Sequence, residues 1–256
     1  MKKNNRAVIT LFIAIIIISL IITACRSNKK EQIFVDVTNT TTTVQTTTQS
    51  TTQLSTQTTE PTNIEEKSLQ NIQTSRALFI GDSRTVGLAE YGKLDNADFF
   101  ANVGMTVYNI MDAKVSVPSV GKITLDNLLT NKKYDKIYIM LGINEVGYAT
   151  NQTIEKYKSL IDFVKLKNPK ATIILQSNLH VTQERSNKDK VVNNNAINNL
   201  NNEIKKLANV ENIYYIDGNN LFDDSNNALA KDKTGDNAHL YAKYYAQWAE
   251  WIIRQV

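Results

Sequence analysis

The sequence predicts an α/β fold: a three-layer, doubly wound, five-stranded parallel sheet. Two observations carry this. After about residue 70, five short apolar runs alternate with segments whose apolar residues recur at helical spacing. The runs are continuously apolar rather than alternating with polar residues, as expected of strands covered on both faces. Strands separated by helices return in the same direction, which makes the sheet parallel.

The elements follow in order. Ala77-Leu78-Phe79-Ile80, ended by Gly81, reads as the first strand, with a short helix over 84–90. Asp98-Phe99-Phe100-Ala101-Asn102-Val103 reads as the second strand and stops at Gly104. Lys136-Ile137-Tyr138-Ile139-Met140-Leu141 is the third and stops at Gly142. Ile154, Tyr157, Leu160, Ile161 and Val164 mark a helix that Asn168-Pro169 terminates. Residues 172–175 form the fourth strand. Ile197, Leu200, Ile204 and Leu207 mark another helix, despite asparagines that are poor helix formers. Residues 213–216 form the fifth strand. A final helix over 240–252 carries Tyr241, Tyr245, Trp248 and Ile252 on one face. Those rings, with Tyr244 and Trp251, read as core and amphipathic surface.

The first quarter reads differently. Lys2, Lys3 and Arg6 precede an uncharged apolar run from residue 7 to 24, the pattern of a secretion signal over 1–24. The run ends Ile22-Thr23-Ala24-Cys25, which resembles the lipobox of bacterial lipoproteins, and Cys25 is the sole cysteine of the chain. The expectation is a lipidated Cys25 at the extracytoplasmic face of the cell membrane. A single N-terminal transmembrane anchor is the alternative, since about 18 apolar residues just span a bilayer. From 38 to 62 more than half the residues are threonine. Such a stretch cannot bury enough apolar surface to offset its ordering entropy, so residues 25–70 are expected to be a disordered tether, of a composition that suits O-glycosylation. As a coil it would span roughly 35–40 Å. The folded domain is then 71–256.

Charge excludes one function class. Removing residues 1–24 takes three of the 29 basic residues and none of the 25 acidic ones, leaving 26 against 25. No basic excess remains to neutralise phosphates, so no nucleic-acid partner is expected. With only two histidines, His180 and His239, no metal-binding spacing exists, and no cofactor is implied. A monomer is expected.

Four short motifs carry chemistry. Gly81-Asp82-Ser83 follows the first strand, Asn102-Val103-Gly104 the second, Gly142-Ile143-Asn144 the third, and Asp236-Asn237-Ala238-His239 precedes the last helix. A serine is a weak nucleophile until a histidine takes its proton, and that histidine needs a carboxylate to fix its tautomer. An Asp three residues before a His can fold back onto its ring. Ser83, Gly104 and Asn144 all lie past strand ends, where ligands of parallel sheets bind. They therefore share one edge of the sheet.

Serine, glycine, asparagine and histidine in this order and setting resemble the SGNH (GDSL-type) serine hydrolases, from about Leu78 to Ile252. The resemblance implies a flavodoxin-like hydrolase fold and a catalytic triad of Ser83, His239 and Asp236. It implies an oxyanion hole of the Ser83 and Gly104 N–H groups with the Asn144 side chain. The family usually carries Asp after that asparagine, whereas Glu145 stands here. Arg84, after the serine, reads either as a contact for an anionic substrate group or as a solvated arginine. His180 lies past the fourth strand, bordering the pocket without an expected role. The implied activity is hydrolysis of small acyl esters, acetyl groups on cell-envelope glycans being the best reading of location. Lysophospholipase, thioesterase or O-acyltransferase activity would use the same triad. A catalytically silent glycan-binding lipoprotein is the alternative of another class. The expected partners are an acylated glycan or lipid substrate and the cytoplasmic membrane.

Overall fold

The computed structural model describes residues 76–256. The expected signal segment, Cys25 and the threonine-rich stretch lie outside the described residues. Five parallel strands form the central sheet: β1 (Ala77–Gly81), β2 (Asp98–Ala101), β5 (Lys136–Met140), β6 (Thr172–Gln176) and β7 (Ile213–Ile216), in the order β2-β1-β5-β6-β7. The fold class read from the sequence is the one observed.

Alternation along each strand divides the core into two layers. Leu78 and Ile80 of β1, Ile137 and Ile139 of β5, and Ile173 and Leu175 of β6 face one side. There they meet α2 (Leu125–Asn131), α3 (Thr150–Lys167) and α5 (Asn194–Lys206), through residues such as Leu128, Tyr157, Leu160, Ile197 and Ile204. Ala77 and Phe79 of β1, Tyr138 and Met140 of β5, and Ile174 face the other side. They pack on Leu88 of α1 (Ser83–Tyr91) and on Tyr245, Trp248, Ala249 and Ile252 of α6 (Tyr245–Ile253). On that face Phe79 stacks on Tyr138 and Phe99, with ring centroids 4.4 Å and 5.1 Å apart.

Four features depart from the sequence expectation. β2 stops at Ala101, and Asn102 and Val103 form an exposed loop. A hairpin of β3 (Lys114–Val117) and β4 (Gly121–Thr124) was not expected, although Val115 and Val117 are buried between exposed Lys114 and Ser116 in a strand-like alternation. Two short helices were also not expected. α2 carries a readable signal, an N-capping Thr124 followed by Leu125, Leu128 and Leu129, whereas α4 (Gln183–Lys188) buries nothing and so has no apolar period to read. The last helix begins five residues later than expected, because Leu240 pairs with Thr234 in an isolated bridge and Tyr241 N–H bonds the Lys233 carbonyl. Tyr241 is consequently 46% exposed rather than on the buried face.

The buried Asp98 carboxylate ties the hairpin to the sheet edge. It accepts from Ser119 Oγ (2.6 Å), Lys132 Nζ (2.5 Å) and Tyr134 OH (2.7 Å). Burial alone would raise its pKa, but these three donors outweigh it and hold the carboxyl below its ordinary value.

The end of β1 sets the position of everything that follows. Gly81 pairs with Ala101 of β2 on one side and Met140 of β5 on the other. A Cβ at Gly81 would lie 2.0 Å from Thr85 Oγ1 and 2.7 Å from the Met140 carbonyl oxygen. The second of these is backbone and has no room to yield. Gly81→Ala is therefore expected to destabilise the protein by about 1–3 kcal/mol, the usual cost of overpacking. A chemical-denaturation midpoint equal to the parent's would show that the β1–α1 turn is looser than this.

Candidate active site

At the carboxyl edge of the sheet, β1 runs directly into α1. Asp82 caps this helix: its Oδ1 accepts the Arg84 N–H at 2.9 Å. Ser83 thus begins the helix, half-buried, where the first-turn N–H groups lack helical partners. Asp82 itself is fully buried, and its carboxylate serves the cap rather than His239.

The loop before α6 brings His239 to Ser83. Ser83 Oγ and His239 Nε2 are 2.9 Å apart across 156 residues of sequence. On the other side of the ring, His239 Nδ1 and Asp236 Oδ2 are 2.6 Å apart. Asp236 also shapes its own loop, since Oδ1 accepts the N–H groups of Ala238 (2.9 Å) and His239 (2.7 Å). Partial burial would raise the Asp236 pKa, but those N–H groups and the His239 ring outweigh it and hold the carboxyl well below its ordinary value. The loop is moored from two directions. Thr182 N–H bonds the Asn237 carbonyl at 3.0 Å, and Arg84 Nη2 bonds the Ala238 carbonyl at 3.2 Å.

That last contact corrects one expectation. Arg84 is 2% exposed and points inward to the Ala238 carbonyl, so it neither meets a substrate anion nor sits in solvent. His180 is buried too: Nδ1 is 2.7 Å from Asp223 Oδ2, and Nε2 is 2.7 Å from Asn198 Oδ1.

Two further loops complete the edge. Gly104 adopts a left-handed backbone (φ 75°), which turns the chain sharply after β2. Asn144 lies exposed in a 3-10 turn, Ile143–Glu145, just past β5. Its Nδ2 donates to the Met105 carbonyl at 3.0 Å, leaving a second amide hydrogen for another acceptor. The structure thus brings Ser83, His239 and Asp236 into one hydrogen-bonded chain and places Gly104 and Asn144 on neighbouring loops of the same edge. Such an arrangement can move a proton from a serine hydroxyl to an imidazole.

In the sequence, Glu145 stands out only as a departure from a family pattern. It is 2% exposed, and its Oε1 accepts the Val107 N–H at 2.7 Å. Burial pushes its pKa up to about 7; the Val107 N–H works against that rise and the charge of Asp82 adds to it. A carboxyl with a raised folded pKa holds its proton more tightly folded than unfolded. Its contribution is therefore most favourable below the unfolded value of 4.5 and is lost as pH rises to about 7. Relative to the parent, Glu145→Gln should gain stability over that window by up to about 3 kcal/mol. Denaturation midpoints of the two proteins at pH 4.5 and 8 check this. A constant difference between them would mean that the carboxyl titrates normally.

Comparisons with known proteins show the family and the fold. Residues 79–247 match the model of the GDSL-like lipase/acylhydrolase family, which includes both Ser83 and His239. No curated protein matches the chain. Among solved structures, a GDSL-like lipase from Bacteroides thetaiotaomicron is 19% identical, covering 75% of this chain and 96% of its own, with a TM-score of 0.52. A protein described as an acylhydrolase from Bacteroides fragilis is also 19% identical, over 75% of this chain and 94% of its own, with a TM-score of 0.54. A family two carbohydrate esterase from Clostridium thermocellum is 13% identical, over 71% of this chain and 62% of its own, with a TM-score of 0.52. At such identities these neighbours establish the shared fold, while the family match covers most of the chain. The chain belongs to the GDSL-like lipase/acylhydrolase family and is a serine hydrolase acting on ester bonds.

Proposed function

We propose that the protein is an extracytoplasmic, membrane-tethered esterase that removes small acyl groups, acetyl above all, from cell-envelope glycans. The observation that supports the chemistry is the continuous chain Ser83 Oγ–His239–Asp236, with separations of 2.9 Å and 2.6 Å. In this reading Ser83 Oγ attacks the ester carbonyl as its proton passes to His239 Nε2. Asp236 holds Nδ1–H, fixing the tautomer and stabilising the imidazolium that forms. The carbonyl oxygen, now anionic, is received by the N–H groups of Ser83 and Gly104 and by the free amide hydrogen of Asn144. As the tetrahedral centre collapses, the C–O bond to the alcohol breaks and His239 returns the proton to the leaving oxygen. Water, deprotonated by the same histidine, then cleaves acyl-Ser83 and restores the hydroxyl. The residues named here supply every proton transfer.

The glycan assignment has two grounds. It draws on the expected location outside the membrane, and on a fold that also serves a carbohydrate esterase in Clostridium thermocellum. The tether draws on the Ile22-Thr23-Ala24-Cys25 boundary and the threonine-rich stretch after it. A lysophospholipase, thioesterase or O-acyltransferase would share the triad and differ in what its pocket admits, notably water.

Ser83→Ala should abolish both fluorophosphonate labelling and hydrolysis of a chromogenic acetate ester. Asp236→Asn should keep the fold and lose activity by up to about 10⁴-fold. Hydrolysis by Ser83→Ala at the parental rate would sink the nucleophile assignment, and near-full activity in Asp236→Asn would sink that of the orienting carboxylate. A screen of acetylated glycans, lysolipids and acyl thioesters then separates the substrate classes.

Cys25→Ser should abolish lipid attachment, since the substitution removes the thiol that would carry the lipid and the sequence offers this cysteine alone. Mass spectrometry that finds an unmodified Cys25 within an uncleaved N-terminus would replace the lipoprotein with a transmembrane anchor.

A further inference from the structure

We propose that Glu145 is the positioning residue of the oxyanion hole, fixing the Gly104 loop against the Asn144 loop through the Val107 N–H. The inference rests on the reading of Ser83, Gly104 and Asn144 given above.

Gly104 follows β2 and Asn144 follows β5, and these strands are not neighbours: each flanks β1 on its own side. The ladder of the sheet therefore levels the roots of the two loops but does not join them. Beyond the strand ends two side-chain hydrogen bonds do so. Asn144 Nδ2 reaches the Met105 carbonyl at 3.0 Å, and Glu145 Oε1 takes the Val107 N–H at 2.7 Å. The first is made by the amide that must also serve the oxyanion, so it cannot fix that amide independently. Glu145 can. It lies in the same 3-10 turn as Asn144, and its own N–H bonds the Gly142 carbonyl at 3.0 Å.

Burial makes this strut rigid. Glu145 is 2% exposed, and Val107 beside its partner N–H is 4% exposed. A buried hydrogen bond cannot be traded for one to water without opening the loop. The carboxyl feels the charge of Asp82 in the β1–α1 turn, and Tyr157 of α3 feels that of Glu145. Among the described residues the Glu145 carboxyl has no cationic partner in an ion pair, and its Oε2 makes no hydrogen bond of normal geometry, although the N–H groups of Glu145 and Gly142 also favour the charged form. A buried carboxyl without a counter-ion costs stability. The carboxyl retains its proton more readily than a free one, which limits negative charge beneath the forming oxyanion. A neutral acid still offers Oε1 to Val107.

Loss of positioning should appear in the transition state and not in substrate binding, because the oxyanion exists only there. The test is steady-state hydrolysis of a chromogenic acetate ester by the full chain and its variants. Glu145→Ala is expected to lower kcat by about 10- to 100-fold, less than loss of a donor itself, with KM within about twofold. Glu145→Gln keeps an acceptor oxygen at the same reach and should recover most of kcat. Glu145→Asp, one methylene short of Val107, should behave like the alanine variant. If Glu145→Ala fails to fold, the Gln and Asp variants carry the same comparison. Parental kcat in the Ala or Asp variant, equal losses in Gln and Asp, or a loss confined to KM would each overturn the proposal. Ser83→Ala separates the two levels of the argument. Hydrolysis persisting in it overturns the reading of the site, whereas a dead Ser83→Ala beside a fully active Glu145→Asp overturns only the role of Glu145.

Discussion

The registry of β1 with its two neighbours is the constraint on which the site depends. Gly81 is level with Ala101 on one side and Met140 on the other, so three strands end at one height. Parallel strands all present carboxyl ends at the same edge, and three loops must leave from it together. One of them is no loop at all: Asp82 alone separates β1 from α1. The tightness that forbids a side chain at Gly81 also holds Ser83 at the start of a helix, where the axial dipole favours negative charge. A slip of one residue between β1 and β5 would exchange the two core layers and carry Asn144 away from Ser83.

Polar burial beneath this edge runs against ordinary folding economy. Ser83, Asn144 and His239 reach solvent, while Asp82, Arg84 and Glu145 lie almost wholly inside. Burial raises the carboxyl of Asp82 and lowers the guanidinium of Arg84, and each charge partly restores the other. The arrangement makes sense as scaffolding. Asp82 caps the helix that bears the serine, and Arg84 moors the loop that bears the histidine. Glu145 joins the loops that bear the proposed oxyanion donors.

Much of this was legible in the residues, and what was not has physical reasons. The strands showed because burial on both faces demands unbroken apolar runs. The hairpin escaped because its edge position leaves only Val115 and Val117 inside, too short an alternation to stand out. The late start of α6 escaped because tertiary pairing of Leu240 with Thr234 overrides a helical pattern that continues through Tyr241. Ser83, Asp236 and His239 were readable from side-chain chemistry and spacing. Arg84 was misplaced because charge argues for solvent, and no local signal announces that a carbonyl 154 residues away will receive it. Glu145 bonds a backbone N–H across 38 residues, and backbone partners leave no trace in residue identity.

The span from Asp236 to His239 has a kinetic consequence. The carboxylate accepts from the histidine's own backbone and from its ring, so the two form one small rigid body. That body meets the rest of the protein through the buried Ala238 and through backbone contacts, those to Thr182 and Arg84 among them. A displacement of the loop would carry imidazole and carboxylate together, keeping their mutual geometry while changing the gap to Ser83. The reach of the ring and its orientation by Asp236 are thereby set by different contacts. Perturbing the moorings alters how often the histidine is within range, whereas perturbing Asp236 alters what it can do once there.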